Sequence, residues 1–265
     1  MHSLQIANIG SSFAAGPGLP PYADRAAGRS ARNAASLVAH ELRASLHDVS
    51  VGGATMENLV SREQRVRGHT YAPQLHTLRE RSRGALDLVM VTVGGNDLGY
   101  IGHALLASLA YRLGRRRFLA TLAERARPTA TPVEASQRDC LTEKLVRVVD
   151  QVRSIAPGAR IMLVGYLTIV PPDSDDGVGF DARDARWLRR TANILDDAFA
   201  RAARQTGAEF VDMGAKSAEH GVGTTLPWIR DAPEGLRLRD IGAAFHPNTR
   251  GMQSIADAVV QQWQH

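Results

Sequence analysis

The sequence predicts one α/β domain of three layers, α/β/α, around a five-stranded parallel sheet of strand order 2-1-3-4-5, with extra helices inserted after the third strand. Three observations carry this expectation. Short apolar runs alternate with helical stretches along the chain, the pattern of parallel strands joined by right-handed helical crossovers. The third run, Leu86 to Val93, is almost continuously apolar, as a strand covered on both faces must be. The 265 residues, 44% hydrophobic and 22% charged, suit a single sizeable domain over 1–265.

Taken in order, the apolar run from Ile6 ends in Gly10, Ser11 and Ser12 and a loop of small residues to Gly18, which is how a buried strand delivers a side chain to the rim of a sheet. Gly28 to Arg43 reads as a helix with Ala34, Leu37, Val38 and Leu42 on one face, and Leu46 to Val51 as the second strand, closed by Gly52, Gly53, Ala54 and Thr55. A helical stretch, with Pro73 to Arg81 its last part, leads into the third strand, which ends in Gly94, Gly95, Asn96 and Asp97. Leu98 to Arg127 is the helical insertion. Pro132 to Ile155 is a further helix stopped by Pro157 and Gly158, Arg160 to Gly165 the fourth strand, and Pro171 to Gly179 a polar loop. Asp181 to Thr206 is a long helix, Glu209 to Met213 the fifth strand and Asn248 to Trp263 the closing helix.

Composition narrows the function classes. The formal charge is +5, but the basic residues are nearly all arginine, with Lys144 and Lys216 the only lysines, and they are scattered. The densest cluster, Arg112 to Arg127, has helical spacing and reads as a solvated helix face, so nucleic acid is not an expected partner. No apolar run approaches the roughly 18 residues of a membrane span. The first ten residues have neither a basic segment nor a long apolar one, which predicts a cytoplasmic location, or a secreted one should a leader precede them. Cys140 is the only cysteine; it excludes an internal disulfide and reads as a buried, inert thiol. The nine histidines show no HExxH pairing, and neither metal nor cofactor is expected. A monomer is the expected state.

In a doubly wound, flavodoxin-like sheet the first strand lies between the second and the third. Their C-terminal tips would then bring Ser12, Gly53 and Asn96 together at the switch point, where such sheets place ligands. Ser12 is a candidate nucleophile. The backbone N–H groups of Ser12 and Gly53 and the side-chain amide of Asn96 are candidate donors to an oxyanion. His246, in the loop before the last helix, is a candidate base. Taken singly, each residue also has a plain structural use as a turn, a cap or a helix start; their order along the chain is what joins them.

These residues sit in four blocks, GSSFAAGPG at Gly10 to Gly18, VGGATMENL at Val51 to Leu59, VTVGGNDLGY at Val91 to Tyr100 and FHPNTRG at Phe245 to Gly251. Through them the sequence resembles the SGNH, or GDSL-like, hydrolase family, and the likeness extends to Gly165–Pro172 and Ser217–Arg230. The resemblance implies Ser12 as nucleophile, Gly53 and Asn96 as oxyanion donors, and His246 as general base. Two positions depart from the pattern. Ser11 stands where an acidic residue usually precedes the nucleophile, and Ala243 where many members carry the aspartate of a triad. The opening block is similar to that of actinobacterial-type esterases that orient the histidine with a main-chain carbonyl, which implies a Ser12–His246 dyad with the carbonyl of Ala243 as orienter. Asp240 and Asp97 are the carboxylates that would otherwise serve, and both read as structural. His220, in the Ser217–Arg230 block, reads as a surface or supporting histidine.

The expected activity is hydrolysis of a small-molecule carboxylic ester through an acyl-enzyme. A carbohydrate or polyol deacetylase, or an acyltransferase, would use the same residues. A binding protein that has kept the fold and lost turnover is the reading from another class, favoured by Ser11 and Ala243 and opposed by the intact set of Ser12, Gly53, Asn96 and His246.

Overall fold

Strand β1 (Gln5–Gly10) is buried from Ile6 to its end, the burial a central strand requires. In a computed structural model of the chain, residues 3–82, 85–115, 121, 125, 127–131, 134–172, 179–232 and 242–265 are described. β1 passes to a single helical turn, α1 (Ser12–Ala15), then to a small antiparallel pair, β2 (Tyr22–Asp24) and β3 (Arg29–Ser30). Helix α2 (Ala34–Glu41) and strand β4 (Ser45–Asp48) follow, then α3 (Met56–Val60) and a hairpin of β5 (Gln64–Val66) and β6 (His69–Tyr71). Helix α4 (Gln74–Ser82) feeds β7 (Leu88–Thr92), and α5 (Tyr100–Gly114) follows it. The chain continues through α6 (Ala135–Ile155), β8 (Arg160–Val164), α7 (Ala182–Thr206), β9 (Glu209–Val211), α8 (Met213–Lys216) and α9 (Thr249–Trp263).

The central sheet has the order β4-β1-β7-β8-β9 with every neighbouring pair parallel. In chain order that is the expected 2-1-3-4-5. Helices α2 and α9 pack together on one side, and α6 and α7 pack together with α3, α4 and α5 against them. β7 is buried at every residue, so the continuous apolar run did mark a strand covered on both faces. At the opposite end of the sheet from the strand tips, the guanidinium of Arg160 grips Glu209 through two bonds of 2.7 and 2.9 Å and donates to the carbonyls of Gln262 and Trp263. That set of bonds ties β8, β9 and the end of α9 together.

Four expectations are corrected. The helix expected from Gly28 starts only at Ala34, because Arg29 and Ser30 pair with Tyr22 and Asp24, and the Asn33 side chain caps the helix by accepting the Ser36 N–H at 2.9 Å. The regular pairing of the second strand ends at Asp48 rather than Val51; the Asp48 carboxylate accepts the N–H and the hydroxyl of Ser50 at 3.0 and 2.6 Å, while the Val49 and Val51 N–H groups still reach the Asn8 and Gly10 carbonyls of β1 at 3.0 and 3.1 Å. The β5–β6 hairpin occupies a stretch read as helical. Cys140 is exposed, not buried, because α6 turns Leu141, Leu145, Val148 and Val152 inward and leaves Cys140 facing out. The basic stretch Arg112 to Arg127 and the loop Pro171 to Gly179 lie partly outside the described residues. Within that stretch, the Arg112 guanidinium donates to the Ala232 carbonyl at 2.9 Å and Arg127 pairs with Asp181.

The tip of β1 is held by a side chain distant in sequence. Gln74, almost fully buried at the start of α4, accepts the Gly10 N–H at 2.7 Å through Oε1 and donates Nε2 to the Gly10 carbonyl at 2.9 Å. A buried N–H left without its acceptor costs about 1–3 kcal/mol. Gln74→Met, which keeps the volume and removes the acceptor, is therefore expected to destabilise the protein by about that amount. Urea unfolding checks this, with a lower midpoint at an unchanged slope as the expected result.

Candidate active site

The strand tips converge as the topology requires. At Gly10 the backbone takes φ +145°, and a Cβ there would lie 2.1 Å from the carbonyl oxygen of Thr92. Only glycine lets β1 leave the sheet so close to β7. Ser11 stays extended, donating its N–H to Thr92 at 2.9 Å, and Ser12 opens the single turn α1. The first N–H groups of a helix have no partner within it, and among the described residues the N–H of Ser12 meets no acceptor. The second glycine loop is a turn closed by the Ala54 N–H on the Val51 carbonyl at 3.2 Å, with φ +80° at Gly53. Here too the Gly53 N–H has no acceptor among the described residues.

His246 comes to Ser12 from the other end of the chain. Its Nε2 lies 2.7 Å from Ser12 Oγ, and both residues are buried. Nδ1 lies 2.8 Å from the carbonyl oxygen of Ala244. A carbonyl only accepts, so Nδ1 carries the proton, and Nε2 of the neutral ring presents its lone pair to the serine hydroxyl. The expected orienter, Ala243, is thus corrected: its carbonyl accepts the backbone N–H of His246 at 3.3 Å, while the ring is held by Ala244. The reason is the residue between. Phe245 has φ +58°, a left-handed conformation that costs a residue with a Cβ about 1–2 kcal/mol. It is sustained by burial of the ring 5.3 Å from that of Phe180 and by the Phe245 N–H on the Arg230 carbonyl at 2.9 Å. In this conformation the imidazole lies back over its own upstream backbone, with Nδ1 on the Ala244 carbonyl.

No carboxylate among the described residues reaches this histidine. Asp97 faces the other way, accepting the Met56 N–H at 3.1 Å at the start of α3, with Lys144 at 3.9 Å; burial pushes its carboxyl above the usual range. That is the structural role expected of it. Asp240 lies outside the described residues. Burial drives the His246 ring down to about 4, against the opposing pull of the Ala244 and Ala243 backbone contacts and with help from the Arg230 charge.

Asn96 completes the group. Its Nδ2 donates to the Ala54 carbonyl at 2.8 Å, which leaves the second hydrogen of that amide unused by this bond. Ser12, Gly53, Asn96 and His246 line one cavity of about 220 Å³, with Val66, Arg67 and Ile101 in its walls. His220 is not among its lining residues; its ring stacks on Trp228 at 4.0 Å and its Nδ1 bonds the Leu226 carbonyl at 2.9 Å, a supporting position as expected. Among the described residues no three His, Cys, Asp or Glu side chains gather as a metal site would need.

Two supports of the site were missed in sequence. Tyr166 lies beneath the nucleophile turn, with its hydroxyl accepting the Gly95 N–H at 2.9 Å and lying 3.4 Å from Ser11 Oγ; burial pushes it up to about 12. Ser11 therefore meets a neutral phenol. Gln74 is the second. Neither tyrosine nor glutamine has a local pattern that separates a buried support from a surface residue.

The family described as GDSL-like lipase/acylhydrolase matches residues 9–254. A protein named Lipase 2 from Streptomyces coelicolor is 30% identical over 96% of this chain and 84% of its own length, and a lipase from Streptomyces rimosus is 24% identical over 92% and 80%. Among solved structures, an extracellular lipase from Streptomyces rimosus superposes with a TM-score of 0.72 at 19% identity, covering 99% of this chain and all 100% of that one. A phospholipase A1 from Streptomyces albidoflavus gives the same TM-score of 0.72 at 18% identity, with 100% of both chains covered. With its family matched across residues 9–254 and a relative at 30% identity, the chain belongs to the GDSL-like lipase/acylhydrolase family and is an ester hydrolase.

Proposed function

We propose that the chain cleaves small-molecule carboxylic esters through an acyl-enzyme formed on Ser12, with His246 as general acid and base. The observation that carries this reading is the 2.7 Å contact between Ser12 Oγ and an Nε2 whose lone pair is fixed by the bond from Nδ1 to Ala244. The unpartnered N–H groups of Ser12 and Gly53 beside the same cavity support it.

In the first half-reaction the Ser12 proton passes to Nε2 as Oγ bonds the ester carbon, and the carbonyl π pair moves to oxygen. The N–H groups of Ser12 and Gly53 and the free hydrogen of the Asn96 amide receive that oxyanion. Collapse expels the alkoxide, which takes the proton from Nε2. Water then repeats the sequence on the acyl-enzyme and frees Ser12. The imidazolium formed on the way is stabilised by the Ala244 carbonyl dipole, where a triad would offer a full charge. Activity on p-nitrophenyl esters of increasing acyl length, beside acetylated sugars, and labelling by a fluorophosphonate probe test the reading. Absence of both turnover and labelling would overturn the acyl-enzyme reading.

Ser12→Ala is expected to lower kcat by roughly 10⁵ to 10⁶, as loss of a nucleophilic serine does, with an unchanged circular dichroism spectrum. Ser11→Ala, which loses only the long contact to Tyr166, should cost less than about 10-fold; near-normal turnover in the Ser12 variant would sink the mechanism.

Asn96→Ala should reduce kcat by about 10² to 10³ with little change in KM, because its free N–H acts on charge that exists only in the transition state. A steady-state comparison separates this from a role in substrate binding, which would raise KM alone.

The working form of His246 is the neutral ring, which persists above its pKa of about 4. The acid limb of kcat/KM should accordingly fall near pH 4 and not near the ordinary histidine value of about 6.5. A pH profile from 3.5 to 8 decides this. Asp97→Asn should leave that profile in place and cost less than about 10-fold in kcat, since its carboxylate caps α3 and does not serve as the acid of a triad.

A further inference from the structure

The Gly53 N–H can serve an oxyanion only if the peptide joining Gly52 to Gly53 faces the right way, and the turn that contains it does not decide this. Residues 51–54 form a four-residue turn closed by the Ala54 N–H on the Val51 carbonyl at 3.2 Å. With φ +80° at Gly53 and no positive φ at Gly52 it is a type II turn. Types I and II differ chiefly by rotating the central peptide through about 150–170°. When both central residues are glycine, neither form meets a steric barrier from a side chain. The bonds that close the turn are indifferent to the rotation. The Gly52 N–H on the Ala27 carbonyl at 2.8 Å and the Ala54 N–H on Val51 belong to the peptides before and after it.

The central peptide has two polar groups of its own. Its N–H, on Gly53, has no acceptor among the described residues; its C=O, on Gly52, accepts Nε2 of Gln64 at 2.9 Å. In a planar trans peptide the C=O and N–H point in opposite directions. A donor that captures the Gly52 carbonyl on one side therefore turns the Gly53 N–H out on the other. We propose that Gln64 is a positioning residue, holding the Gly52–Gly53 peptide in the orientation that offers the Gly53 N–H to the oxyanion; the proposal rests on the acyl-enzyme reading above.

Gln64 is placed for this by the hairpin that carries it. It stands opposite Tyr71 in the β5–β6 pair, and the Tyr71 hydroxyl donates to Asp24 at 3.0 Å. At the hairpin tip Arg67 Nη1 donates to the Arg25 carbonyl at 2.8 Å. The hairpin is thus docked on the same 24–28 loop whose Ala27 carbonyl receives the Gly52 N–H. The Gln64 Oε1 is buried without a partner among the described residues. Such an atom weakens a fold, so the amide is not accounted for by stability, whereas its Nε2 bond accounts for it. In the rotated peptide the Gly52 carbonyl would point toward the cavity and oppose the negative oxygen.

The test compares wild type, Gln64→Leu and Gln64→Glu on p-nitrophenyl acetate, each checked by thermal melting. Gln64→Leu should lose about 10- to 100-fold in kcat, less than full removal of an oxyanion donor because the peptide still samples the right orientation. Its KM should stay within about threefold and its melting temperature should hold or rise, since the orphan Oε1 is gone. Gln64→Glu turns the donor into a second acceptor when ionised and restores a donor when protonated. Its kcat, as a fraction of wild type, should rise as pH falls from 8 to 5. Wild-type kcat in Gln64→Leu, a defect confined to KM, or a Gln64→Glu profile parallel to wild type would overturn the proposal; if the leucine variant does not fold, the glutamate profile decides. Wild-type turnover that survives Ser12→Ala would instead overturn the acyl-enzyme reading, and shows before any Gln64 variant is made.

Discussion

The site hangs on how β1 ends. A central strand in a parallel sheet is buried on both faces, so a chain that leaves it must satisfy its last backbone groups without water. Gly10 does this with a conformation closed to other residues, its N–H and C=O taken by the amide of Gln74. Ser11 remains bonded to Thr92, and the buried helical turn α1 then starts at Ser12. The unpartnered N–H of that helix start and the Oγ that meets His246 belong to one residue, so the end of the strand places both beside the same cavity. Gln64 repeats the device at the next strand tip. There a second glutamine amide, again from a neighbouring element, fixes a glycine peptide that sequence-local forces leave undecided.

The histidine is governed by a different balance. Burial drives it toward the neutral state, and the carbonyl of Ala244 fixes its tautomer without adding a charge. A carboxylate at that place would favour the imidazolium and raise the pKa; a carbonyl orients the ring while leaving the base weak. The arrangement also explains how Ala243 can stand where relatives of the triad type place an aspartate, since the neighbouring backbone does the orienting. The strained Phe245 is the cost of this geometry, and its ring, anchored against Phe180, offsets that cost in the core.

Much of this was legible in the order of residues. The alternation of apolar runs and helices carried the fold class and the strand order, because burial on one or two faces imposes periods that neighbouring residues must obey. Ser12, Gly53 and Asn96 could be singled out because the strand tips of a doubly wound sheet converge at the switch point, and His246 because the order of the four blocks resembles the family. Local capping chemistry was less legible: Asn33 sets the start of α2 by accepting the Ser36 N–H, and Asp48 accepts the N–H and hydroxyl of Ser50, and apolar period does not register such bonds. The short hairpin β5–β6 was read as helix because strands of three residues are too brief to display alternation.

What the sequence determined by itself, then, is the sheet, its order and the residue types gathered at its rim, all consequences of patterns repeated along neighbouring positions. The tertiary structure alone decided that the Ala244 and not the Ala243 carbonyl meets the His246 ring, that Asp97 caps a helix, that Gln74 and Tyr166 support the site, and that Gln64 bonds the Gly52 carbonyl. Each of these turns on one or two hydrogen bonds between groups far apart in the chain, or on the sign of a single φ at Phe245. Such bonds depend on distances of a few tenths of an ångström that only the packed core sets, and no period in the sequence encodes them.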